Sequence, residues 1–112
     1  MVAAQQTTNA QRQEPLSLFN ARARYFMIRS KLQEYEQYMN AVKQYDHPGV
    51  LDLATWYANL IVMSEALLPT FSKKNNKALN TKHLRGLSNL ELLTHDFQKT
   101  LYDCYNDLTQ VG

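Results

Sequence analysis

An all-α fold, a small antiparallel helical bundle of three long helices, follows from three observations. Apolar residues recur at three- and four-residue spacing along most of the chain. Glycine and proline number only three each, too few for a turn-rich β architecture. The tetrapeptide Asp46-His47-Pro48-Gly49 has the chemistry of a tight turn between two such apolar segments. A length of 112 residues suits one domain that buries a core without metals or disulfides.

The first helix is read from Leu18, Ala21, Tyr25, Ile28, Leu32, Tyr35, Met39 and Val42, whose strict alternation of three and four steps sets them on one face. Pro15 suits its first turn, Glu14 or Ser17 its cap, and it should end near Tyr45. Residues 1–14 are polar and rich in glutamine and threonine, which reads as a flexible tail ahead of a bundle over 15–112. They lack the basic and apolar regions of a secretory signal.

The second helix is expected from Val50 to Leu68, stopping before Pro69. Only Asp52, Thr55 and Asn59 mark a polar stripe on it, so it reads as the central member, buried on most sides. Its charge-free part, Leu53 to Ser64, is too short to cross a bilayer, and a cytoplasmic protein without membrane contact is expected. The third helix is expected to begin at the capping box Ser88-Asn89-Leu90-Glu91 and to bury Leu90, Leu93, Phe97, Leu101, Cys104 and Leu108. A short fourth helix fits between 77 and 85.

The small net charge of +2 conceals blocks of alternating sign. Residues 1–31 carry Arg12, Arg22, Arg24, Arg29 and Lys31 against Glu14, a net +4, and residues 32–71 carry a net −4. The stretch SKKNNKALNTKHLRG, residues 72–86, holds Lys73, Lys74, Lys77, Lys82 and Arg85 and no acid. A second helix shorter than the first ends near the level of Tyr25, which brings that stretch to the pole of Arg22 and Arg24. These seven cations form a candidate contact for a polyanion, with nucleic acid held through its phosphates. The competing reading is a solvated loop, and the stretch has no aromatic residue on which bases could stack.

A second apolar row on the first helix, Leu16, Phe19, Ala23 and Phe26, continues as Ser30, Gln33 and Gln37 and so exists only in the first half. Either the 72–86 segment covers it or another chain does. This row is the candidate interface for self-association or a protein partner.

Signals for chemistry are sparse. Glu91 and His95 could face one ion, but two ligands without a third make a weak metal signal. His47 belongs to a turn and His83 to the basic stretch. Cys104, the single cysteine, sits at a core position and permits no intramolecular disulfide. A helix-turn-helix over LRGLSNLELL wants a small residue and an apolar one where Lys82 and Arg85 stand. The expectation is a non-catalytic helical interaction protein with no cofactor and no metal. Nucleic-acid binding is the alternative, and an enzyme or ligand carrier is a third reading without support in the residues.

Overall fold

The computed structural model describes residues 16–110 apart from Lys73, Asn76 and Lys77, with side chains from Phe19 onward. The expected tail lies outside the described residues. Three helices pack against one another: α1 (Leu16–Val42), α2 (Pro48–Phe71) and α3 (Thr81–Thr109). No strand occurs among the described residues.

Seven of the eight positions read on the first helix form its core face, and the Leu18 side chain lies outside the described residues. Ala21, Tyr25, Ile28, Leu32, Tyr35, Met39 and Val42 are all at most 4% exposed, and full burial of a side chain such as Ile28, Leu32, Met39 or Val42 is worth about 1.5–3 kcal/mol. Contacts between α1 and α2 pair rising positions with falling ones. The Tyr25 hydroxyl donates to the Ser64 carbonyl, and the Tyr57 hydroxyl donates back to the Leu32 carbonyl at 2.7 Å. Contacts between α1 and α3 instead rise together on both helices, from Arg24 with Glu91 to Tyr35 with Gln98 and Tyr38 against Tyr102 and Tyr105. Phe97 is the hub of the middle layer, with Trp56, Tyr57 and Tyr35 rings 5.4, 5.7 and 5.8 Å away.

The turn forms as its residues predict. His47 is the N-cap of α2, its Nδ1 accepting from the Gly49 N–H at 3.0 Å, and Pro48 occupies the first turn, where no N–H is needed. The end of α2 differs from expectation, since the helix runs through Pro69 to Phe71. Phe71 is fully buried, and the Ser72 N–H closes the final turn on the Leu68 carbonyl at 2.9 Å. Burial of that ring offsets the hydrogen bond that Pro69 cannot donate.

The burial of α2 on most sides is also corrected. Leu51 and Val62 are 72% and 66% exposed, because two neighbouring helices cover only part of its circumference.

The third helix starts about two turns earlier than its Ser88 capping box suggests. Asn80 is the N-cap: its Oδ1 accepts from the His83 N–H at 2.9 Å, while His83 Nδ1 accepts from the Asn80 N–H at 3.3 Å. Residues 81–85 are therefore the opening of α3 rather than a separate element. Gly86 is helical, with no positive φ, which removes the turn required by a helix-turn-helix there. It faces α2, and a Cβ there would meet Leu67 Cδ2 at 3.5 Å, an ordinary van der Waals distance. On the core face Leu87 and Thr94 are buried, whereas Leu93 is at the edge, 37% exposed, and Cys104 is half-buried. Burial pushes the Cys104 thiol pKa up, with Asp107 adding to it.

Candidate functional site

The second apolar row of α1 lies open. Phe19 is 60% exposed, Ala23 is exposed, and Phe26 is 38% exposed with its ring edge-on to Tyr25 at 5.1 Å. Met27, which the row pattern misses, adds a further exposed side chain beside Ala23. The Leu16 side chain lies outside the described residues. The row faces outward because the core face is already filled by the 3,4 series one to three residues away. The described part of the linker after α2 is tied to Arg22, and Phe19 stays mostly exposed. Arg22 Nη2 donates to the carbonyls of Ser72 and Asn75, and the Asn75 amide donates to the Thr70 carbonyl at 2.7 Å.

The seven cations read as a basic pole are divided by these contacts. Arg22 meets the start of the 72–86 segment, as the helix lengths predict, but serves as its anchor. Arg24 is turned to α3, where its Nε donates to Glu91 Oε2 at 2.9 Å, its Nη2 to Glu91 Oε1, and Nη2 also reaches Ser88 Oγ at 3.4 Å. The Glu91 hydrogen bonds raise the Arg24 pKa above its ordinary value, against a smaller lowering by burial. Ser88 and Glu91, expected to cap a helix, instead receive this guanidinium. Lys74, Lys82 and Arg85 are exposed, and Lys73 and Lys77 lie outside the described residues.

Two clefts flank α1. The one toward α2, of about 520 Å³, runs between Phe26, Gln33 and Glu36 on one wall and Tyr57, Ile61 and Glu65 on the other. Arg29 reaches into it and donates through Nη1 to Tyr25 Oη and Ser64 Oγ, both at 3.3 Å. The cleft toward α3 is smaller, about 230 Å³. Its walls are Ala23, Met27 and Ile28, its ends are the Arg24–Glu91 and Tyr35–Gln98 pairs, and Lys31 and His95 line it as well. Thr94, 3% exposed, contributes to the wall, and its hydroxyl has no hydrogen-bond partner among the described residues. Sequence reasoning missed this threonine, because a lone polar residue within an apolar series carries no sign of its burial.

Among the described residues no group of three or more His, Cys, Asp or Glu is placed to hold a metal ion, and Glu91 is engaged by Arg24 rather than paired with His95. No described helix is long and apolar enough to cross a membrane. No family model matches the chain, and neither does any curated protein or solved structure.

Proposed function

We propose that the protein is a non-catalytic helical module that self-associates, or docks a protein partner, through the outer face of the first half of α1. The observation that carries this reading is the exposure of Phe19, 60%, beside an inner row that is almost completely buried. Phe19, Phe26 and Met27 together offer an apolar area of order 300 Å², taking roughly 100 Å² for each partly exposed large side chain. A stable interface covers about 800 Å² per partner. The contact therefore has to extend beyond the row, and the neighbouring cleft runs from Phe26 to Ile61 of α2.

Light scattering over a wide concentration range tests it. The wild type should gain mass with concentration, and Phe19→Asp with Phe26→Asp should remain monomeric with unchanged helical circular dichroism. A wild type that stays monomeric at millimolar concentration removes the self-association reading.

A second reading keeps the polyanion contact, supported by the exposure of Lys74, Lys82 and Arg85 around the α2–α3 connection. Lys82 and Arg85 sit in the opening turns of α3, where the helix dipole adds to their positive potential. Binding to duplex DNA should then weaken with log salt at a slope of about −0.9 per neutralised phosphate. Changing these three residues to glutamine should flatten the slope, and absence of any salt-sensitive binding at low ionic strength rejects the reading.

A further inference from the structure

Thr94 stands in the middle of the apolar series Leu87, Leu90, Phe97 and Leu101, all fully buried, and is itself 3% exposed. A threonine inside a helix ordinarily donates its hydroxyl to the carbonyl four residues back. Two others in α3 do so, Thr100 to the Asp96 carbonyl at 3.2 Å and Thr109 to the Tyr105 carbonyl at 2.7 Å. Thr94 makes neither that bond nor any other among the described residues. A valine would fill the same space without a stranded hydroxyl, so the fold alone does not call for threonine here.

The surroundings give the hydroxyl a use. The cleft it borders, of about 230 Å³, has room for about seven waters at ~30 Å³ each, or for one small ring with its substituents. Ala23, Met27 and Ile28 supply apolar walls, and Met27, 61% exposed and unbranched, is adaptable. The acid in the cleft, Glu91, is already held by Arg24 through both oxygens. Lys31 and His95 also line it, and no described residue forms an ion pair with either. The set therefore combines a free cation, an imidazole, apolar walls and a stranded hydroxyl.

We infer that the cleft between α1 and α3 is a binding site for a small aromatic carboxylic acid with a hydrogen-bonding group opposite its carboxylate. The carboxylate meets the Lys31 ammonium beside His95, the ring lies on Met27 and Ile28, and the opposite group reaches the Thr94 hydroxyl. Contact requires the Thr94 side chain to turn by one rotamer, since its oxygen is covered in the open cleft. The site shares Ala23 and Met27 with the association face, so binding is measured in the Phe19→Asp chain as well as in the wild type.

Titration of the isotope-labelled full chain with 4-hydroxybenzoate, with benzoate as the control, tests the inference by amide chemical shifts. The expected result is saturable shifts at Ile28, Thr94 and Gln98 that persist in Phe19→Asp. Thr94→Val should fold normally, weaken 4-hydroxybenzoate by about ten-fold, the worth of one hydrogen bond, and leave benzoate nearly unchanged. Lys31→Gln should weaken both acids and reduce the salt dependence. No saturable shift in the wild type up to ten-millimolar acid, or equal binding of 4-hydroxybenzoate by Thr94→Val, overturns the site and leaves water as the cleft's occupant.

Discussion

The Phe71 ring lies nearly parallel to that of Tyr25, with 5.1 Å between centroids and 20° between planes. Both side chains are fully buried, and the Tyr25 hydroxyl is bound to the Ser64 carbonyl on the same helix as Phe71. The pair fixes where α2 ends against α1 and draws the helix past Pro69. Replacing Phe71 by alanine should cost about 3–5 kcal/mol in urea unfolding, the usual range for an emptied phenylalanine site. Phe19→Ala on the exposed row should change the monomer by no more than about 0.5 kcal/mol. Equal effects would contradict the assigned end of α2.

The start of α3 gives a second test. Asn80 and His83 exchange hydrogen bonds across the first turn, whereas the Ser88 hydroxyl meets the Arg24 guanidinium at the surface at 3.4 Å. Asn80→Ala should lower stability by about 1 kcal/mol, as loss of an N-cap does. Ser88→Ala should stay within about 0.5 kcal/mol. A larger loss at Ser88 would restore the later start.

These two sites mark where the sequence is legible and where it is not. The core face of α1 is legible because eight residues from Leu18 to Val42 repeat at three- and four-residue spacing without interruption. The face of α3 was read less well. Ser88-x-x-Glu91 matches a familiar cap, while the reciprocal Asn80–His83 pair works through an imidazole nitrogen that the pattern does not include. On α2 the exposed Leu51 and Val62 cannot be distinguished by type from the buried Leu53 and Leu60, so the helix reads as buried on most sides. Charge blocks located Arg22 and Arg24 near one end but not their partners, since Glu91 lies 67 positions from Arg24. Thr94 was illegible, because burial of a polar side chain depends on what packs over it.

Gly86 provides a stabilising test. It lies within α3, has ordinary helical dihedrals, and a Cβ there would meet Leu67 Cδ2 at 3.5 Å, a normal van der Waals contact. Gly86→Ala should therefore raise stability by about 0.4–1 kcal/mol through the lower entropy of the unfolded chain. Gly86→Leu should lower it, because a larger side chain forces α2 and α3 apart. If alanine also destabilises, the approach of the two helices is closer than described.

The tyrosines make the bundle sensitive to alkali. Burial, with the nearby Tyr102 and Glu34, pushes the Tyr35 pKa up to about 12, and burial also raises those of Tyr57 and Tyr102. Each phenol is neutral when protonated, so a raised folded pKa means that the folded chain holds its proton more firmly than the unfolded one. The associated stability is complete below an unfolded value of about 10 and is lost as pH rises toward 12. At pH 11 Tyr35 should be ionised in about a tenth of folded chains but in about nine-tenths of unfolded ones. The part of the tyrosinate absorbance contributed by Tyr35, Tyr57 and Tyr102 should therefore rise late and together with loss of helical circular dichroism. Tyr35→Phe should soften that dependence, and it also removes the hydroxyl bound to Gln98. Early, independent ionisation of all tyrosines near pH 10, with the helices intact, would show that these hydroxyls are open to solvent.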